Sequence, residues 1–175
     1  MANKKVKNAT VIEFNNIRFK SKLELTFYKM LVQAGFNPQY EQRTYLLWEG
    51  CKPTIPFYTR DKKTKLLKLD ITKLRNMTYT PDFTFNYNGR LIIIEAKGKE
   101  NDTYPLKRKL FRGLLEDYTY DNPLFFEVFT QKQLLQAIEI IKSYEPIDKE
   151  DRGIIAIPTT ERCKSCNQTP EREEI

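Results

Sequence analysis

The sequence contains no histidine among its 175 residues. That absence excludes imidazole acid–base chemistry, Ser-His-Asp and Cys-His nucleophilic sites, and His-ligated metals. Enzymes that depend on a catalytic histidine are excluded with them. Three cysteines make no disulfide framework. No run approaches the roughly 18 apolar residues of a membrane span. The N-terminal MANKKVKNAT also lacks the apolar centre of a signal peptide. A soluble, cytosolic protein without a membrane partner is the expectation. What remains for chemistry is carboxylates and lysines with a hard, oxygen-preferring cation such as Mg²⁺.

Acidic charge is also scarce where it would matter most. The chain carries 30 basic and 23 acidic residues, net +7. Residues 145–175 hold 5 basic and 8 acidic groups, so the remainder carries about +10. A basic body favours a polyanionic partner, nucleic acid first. One domain with a real core plus extensions fits the length.

What is present centres on Tyr79–Lys97, YTPDFTFNYNGRLIIIEAK. Asn88-Gly89 between apolar runs is a hairpin signal, because both turn residues need φ > 0. A two-residue turn fixes the register: Tyr87 opposes Arg90, Phe85 Ile92, Phe83 Ile94 and Asp82 Glu95. Asp82, Thr84 and Ile93 then share a face with Glu95 and Lys97. Phe83, Phe85, Ile92 and Ile94 take the other face, expected to be the drier one. Two carboxylates roughly 5 Å apart at Cβ destabilise a sheet. A divalent cation between them removes that penalty, and Lys97 adds an ammonium suited to phosphodiester hydrolysis. Singly, each such residue reads as a solvated strand end. The joint pattern P-D, apolar hairpin, E-A-K is harder to obtain from a surface.

Around this hairpin the chain reads as follows. Residues 1–10 form a basic arm, and 11–19 an extended segment. Ser21 caps a helix in which Leu23, Phe27, Met30, Leu31 and Ala34 recur at helical spacing until Gly35. Glu24 stands at the N3 position, where a capping box to the Ser21 N–H is as good a reading as metal binding. Residues 36–48 are extended, with Tyr40 and Tyr45 half-buried. Residues 51–75 carry eight basic and two acidic residues, with a turn at Asp61-Lys62-Lys63-Thr64. This reads as a basic β-ribbon inserted before the hairpin, its cations contacting phosphate or merely solvated. A helix spans Thr103 to about Asp117, with Pro105 in its first turn and a stripe of Leu106, Leu110, Phe111 and Leu114. LFFEVFT (124–130) reads as a buried strand. Thr130 and Gln133 then box a helix carrying Leu134, Leu135, Ile138 and Ile141. GIIAIP (153–158) is a short strand candidate. Cys163 and Cys166 are half of a zinc site, and Cys51 leaves the set one thiolate short unless two chains pool their pairs. Free thiols are the expectation and zinc the minority reading.

A helix with S-x-x-E, a strand with P-D, a strand with E-A-K, a helix and a strand in this order resembles the PD-(D/E)XK nuclease superfamily. The resemblance is closest to phage endonuclease I type Holliday-junction resolvases. The residues carrying it are Phe19–Glu24, Gly35-Phe36, Tyr79–Phe83, Asn88-Gly89, Glu95–Gly98, the Lys/Arg-bearing helix that follows and the LFFEVFT strand, about residues 17–140. It implies an α/β fold with a restriction-endonuclease-like core, an α-β-β-β-α-β mixed sheet flanked by helices. The nuclease domain would be 11–144, with 51–75 inserted and 145–175 a charged extension. Asp82, Glu95 and the Ala96 carbonyl would hold Mg²⁺ or Mn²⁺, Glu24 a second or shared ion, and Lys97 would orient water. DNA would meet Lys22, Lys62, Lys63, Lys65, Lys68, Lys99, Lys107, Arg108, Lys109 and Arg112. The implied protein is a homodimer acting on branched DNA, in the host cytosol if phage-encoded. A sequence- or end-directed nuclease subunit working with a partner shares the core. A non-catalytic DNA-binding module is the reading from another class.

Overall fold

The computed structural model describes residues 11–98, 102–118 and 121–147. The expected arm at 1–10, Lys99, the 153–158 strand, Cys163 and Cys166 lie outside the described residues. The first surprise is local. Residues 11–19 are a small hairpin, β1 (Ile12–Phe14) against β2 (Ile17–Phe19). Its turn is Asn15-Asn16, with φ of 51° and 61°, a conformation that asparagine tolerates better than most residues.

Helix α1 (Lys22–Gln33) starts at Ser21, whose hydroxyl oxygen accepts from the Glu24 N–H at 3.2 Å. It ends before Gly35, whose φ of +90° closes the helix. The chain then runs through β3 (Gln39–Tyr40) and β4 (Tyr45–Trp48), followed by the ribbon strands β5 (Phe57–Arg60) and β6 (Leu67–Asp70). It returns in β7 (Met77–Tyr79), which pairs antiparallel with β4. Between the two ladders Gly50 approaches the opposite leg so closely that a Cβ would stand 2.2 Å from the Leu74 carbonyl oxygen. The ribbon is thus the far end of one long hairpin whose near end is β4–β7.

The P-D pair, expected within a strand, falls instead between β7 and β8 (Phe83–Tyr87). Hairpin β8–β9 (Arg90–Ala96) has the register anticipated from Asn88-Gly89, with Tyr87 opposite Arg90 and Phe83 opposite Ile94. Helix α2 (Tyr104–Leu115) leads to β10 (Leu124–Val128), which lies parallel to β9, and α3 (Gln131–Ser143) follows. A complete capping box starts α3: Gln133 Oε1 accepts from the Thr130 N–H at 3.1 Å, and Thr130 Oγ1 from the Gln133 N–H at 3.2 Å. The central sheet has the order β10-β9-β8-β3. The α/β class is therefore observed, as a mixed four-stranded sheet with helices on both faces.

Those helices correct one expectation. Phe83, Phe85, Ile92 and Ile94 pack with α1 and α3. The opposite face is equally dry, because Leu91 and Ile93 are covered by Tyr45, Tyr79 and α2 through Tyr104, Phe111 and Leu115. A strand buried on both faces reads as the continuous run LIIIE rather than as an alternation. Four smaller corrections follow from the same packing. The buried stripe of α2 is Tyr104, Phe111 and Leu115, while Leu106 is 54% exposed. Likewise on α3, Leu135 is exposed and Ala137 buried. Strand β10 is an edge strand, mostly half-buried, and Tyr45 is fully buried. Among the described residues no helix is long and apolar enough to cross a membrane.

Candidate active site

Asp82 occupies the bend between β7 and β8, immediately after the buried Pro81. Its carbonyl accepts from the Glu41 N–H at 2.9 Å. Its carboxylate Oδ2 accepts from the Ala96 N–H at 2.7 Å. This second bond crosses from β8 to β9 and continues the register that places Asp82 beside Glu95. Glu95 is only 4% exposed. One of its oxygens is paired with the Lys97 ammonium, and Oε2 accepts from the Tyr79 hydroxyl at 2.7 Å. Lys97 follows the last residue of β9, and its N–H donates to the Val128 carbonyl at 2.8 Å. Its ammonium lies 3.8 Å from the Tyr104 ring centroid, a favourable position for a cation over an aromatic face.

Glu24 enters from the first turn of α1. Its carboxylate does not return to the Ser21 N–H, as a capping box would require. It accepts instead from the Lys20 N–H at 2.9 Å, the Ser21 hydroxyl at 2.7 Å and the Tyr40 hydroxyl at 2.5 Å. Ser21 thus caps the helix while Glu24 is tied to β3. Burial, then the charges of Glu95 and Glu24, holds the Asp82 carboxyl well above its ordinary value. The Ala96 N–H and Lys97 only partly oppose this. Three carboxylates are therefore close enough to repel, and Asp82 bears the strain.

All four expected residues, Glu24, Asp82, Glu95 and Lys97, are brought to one end of the central sheet. The expected DNA-contacting set divides. Lys22, Lys62, Lys63, Lys65, Lys68, Lys109 and Arg112 are exposed. Lys107 and Arg108 turn inward: Lys107 donates to the Thr78 carbonyl at 2.9 Å, and Arg108 Nη1 to Glu127 at 3.0 and 2.7 Å. These bonds tie α2 to β7 and β10, and both residues are half-buried where Lys109 is exposed. Cys51 is an exposed free thiol.

Sequence reasoning assigned no role to Tyr40, Tyr79, Tyr104 or Glu127. Glu127 pairs in register with Glu95 across β10 and β9, and so extends the row of acids by one strand. Burial above all raises the Tyr40, Tyr79 and Tyr104 hydroxyls, and neighbouring carboxylates add to the effect. The Tyr40 and Tyr79 hydroxyls donate to Glu24 and Glu95 respectively. The one available signal was chemical: tyrosine rather than phenylalanine at core positions leaves a hydroxyl that needs a partner.

The donor set, carboxylates and a strand-end carbonyl, is chemically that of a hard divalent cation. The repulsion that raises the Asp82 carboxyl is what such an ion would oppose. Among the described residues no three acidic, cysteine or histidine side chains converge as a ready-made cage. In the observed state Lys97 and Tyr79 hold Glu95, and the Ala96 N–H holds Asp82.

The model of a family described as "Protein of unknown function (DUF1064)" matches residues 4–122. The matched span contains Glu24, Asp82, Glu95, Lys97 and the whole ribbon, and stops short of β10. No curated protein and no solved structure matches the chain.

Proposed function

The chain belongs to the DUF1064 family, and from its site we propose that it is a metal-dependent endodeoxyribonuclease with a restriction-endonuclease-like core. The observation that carries this reading is the facing pair Asp82 and Glu95 at the end of a buried hairpin, with Glu24 close enough to perturb Asp82. Burying like charges side by side is costly, and the single Lys97 ammonium, paired with Glu95, only partly offsets the repulsion at Asp82. The basic ribbon and the exposed Lys109 and Arg112 supply charge for a DNA backbone. A PD-(D/E)XK assignment, a junction-type substrate, a homodimer and a cytosolic setting belong to the same proposal.

In this reading Asp82, Glu95 and the Ala96 carbonyl hold Mg²⁺ or Mn²⁺, with Glu24 on a second or shared ion. When bound, the ion supplies charge neutralisation and a more acidic water. The residues do the rest. Tyr79 fixes one Glu95 oxygen, and Tyr40 fixes one Glu24 oxygen, so each carboxylate keeps its orientation without a ligand. Lys97 is held in reach by the Tyr104 ring. Released from Glu95, its ammonium is placed to orient a water or to stabilise charge developing on the phosphate.

A second reading has its own observation. Asp82 accepts from the Ala96 N–H, and Glu95 accepts from the Tyr79 hydroxyl and pairs with Lys97, bonds that a structural role in a non-catalytic DNA-binding module would also use. The two readings separate in one experiment. Wild type and Asp82→Ala are incubated with Mg²⁺ or Mn²⁺ on a four-way junction and on a linear duplex of matching sequence. Paired cuts in the junction alone, lost in the variant, are the expected result. Cutting of both substrates keeps the site and discards junction selectivity, leaving the sequence- or end-directed alternative. No cutting, with DNA affinity unchanged in the variant, leaves the binding module or a nuclease subunit that lacks its partner.

A further inference from the structure

Most large apolar side chains exposed among the described residues fall between 46 and 74, on the arm formed by β4 to β7. The β5–β6 register sorts them. Tyr58 opposes Leu69 and Arg60 opposes Leu67, so Tyr58, Leu67, Leu69 and, by continuation, Ile71 share one face. Phe57, Thr59, Lys68 and Asp70 take the other. Tyr58 is 60% and Leu67 76% exposed. A two-stranded ribbon standing alone is marginal in water, and a contiguous apolar face on it marks a binding surface.

Charge chooses the partner. Residues 57–70 hold five basic and two acidic side chains. Both acids are committed inside the ribbon. Asp61 Oδ1 accepts from the Lys63 and Thr64 N–H groups at 2.9 and 2.8 Å, and Asp70 Oδ1 accepts from the Thr72 N–H at 2.8 Å. The cations are concentrated at the turn, as Lys62, Lys63 and Lys65. A second copy of this ribbon would be repelled, whereas a polyanion is attracted. The major groove of B-DNA, about 12 Å wide, admits a two-stranded β-ribbon.

We infer that the β5–β6 ribbon is a groove-entering DNA arm. Its basic turn engages phosphates, and its face of Tyr58, Leu67 and Leu69 packs against thymine methyls and base edges. The inference rests on DNA being the substrate, and goes beyond backbone contact by giving the apolar face a role. The arm is rooted at β7, three residues before Asp82, so DNA held in it is held at a set position relative to the carboxylates.

The test uses the full chain in chelator, where no cleavage competes, with binding to junction and duplex followed by anisotropy across a salt series. Tyr58→Ser/Leu67→Ser/Leu69→Ser should weaken binding about tenfold or more, within the range that base-edge recognition supplies, without altering the salt slope. Lys62→Glu/Lys63→Glu/Lys65→Glu should instead flatten that slope, by roughly 0.9 for each phosphate no longer neutralised. A Leu135→Ser control on the exposed side of α3 should change nothing. Because the ribbon lies outside both cores, the triple-serine variant should melt with the wild type. A photo-crosslinking residue at position 67 in the otherwise native chain, expected to capture DNA, keeps the test independent of that variant's folding. Wild-type affinity in the serine variant would overturn the inference. So would capture of protein at position 67, or loss of self-association with DNA binding intact, which would make the face a protein interface. Cleavage with ribbon-independent binding keeps the nuclease and removes the arm. Ribbon-dependent binding without cleavage does the reverse.

Discussion

At the scale of single residues, the site is a set of carboxylates each held by a neutral donor. Tyr79→Phe deletes one hydroxyl and leaves the buried Glu95 Oε2 short of a partner. A loss of about 1–3 kcal/mol is expected from urea unfolding. The concentration of Mg²⁺ needed for half-maximal cleavage should also rise. A purely structural hydroxyl would move the first quantity alone. Asp82 gives a prediction whose sign can be worked out. Its folded-state pKa is raised above the ordinary 3.8 by burial, Glu95 and Glu24. The protonated form is therefore favoured by folding, and that contribution is fully present below pH 3.8. It is lost as pH rises through the raised folded value. Asp82→Asn retains an oxygen for the Ala96 N–H and cannot ionise. Without divalent metal it should melt above wild type at pH 8 and alongside it near pH 3. Equal melting at both would mean that the carboxylate is not strained.

At the scale of elements, local chemistry was legible and long-range covering was not. Asn88-Gly89 set the β8–β9 register because two φ > 0 residues admit only one kind of turn. Thr130 and Gln133 announced α3 because their box is made within four residues. The second dry face of β9 could not be read from its own residues, since it depends on α2 arriving from later in the chain. Leu106 misled for the same reason: a helix's apolar stripe is chosen by its neighbour, and Tyr104 was the residue that α2 buried. Ser21-x-x-Glu24 looked like a box and is half of one, because β3 places Tyr40 against the same carboxylate. The two caps can be compared directly. Thr130→Ala and Ser21→Ala should each cost about 1 kcal/mol of stability. Only Ser21→Ala, which also removes a donor to Glu24, should shift the metal dependence of cleavage. A shift in both, or in neither, would separate Glu24 from the site.

At the scale of the whole molecule, the strain at one end of the sheet becomes a property that calorimetry can read. Glu24 comes from α1, Asp82 from the β7–β8 bend and Glu95 from β9, so their repulsion opposes the packing of three elements that otherwise share one core. Anything that binds this set in the folded chain alone must stabilise the entire fold. At a hundredfold excess over its dissociation constant, the gain is about 2.7 kcal/mol for one site. Mg²⁺ or Ca²⁺ should therefore raise the thermal midpoint of the wild type, with the shift growing logarithmically with concentration. For a fold of this size, a gain of that order corresponds to a shift of roughly 5–15 °C. Asp82→Ala and Glu95→Gln should melt at the same temperature with or without the ion, and Lys109→Glu should respond as wild type does. Because DNA is absent, the measurement isolates the site from the arm. A midpoint indifferent to divalent ions in the wild type would leave the carboxylates as structural acids, whatever DNA the ribbon binds.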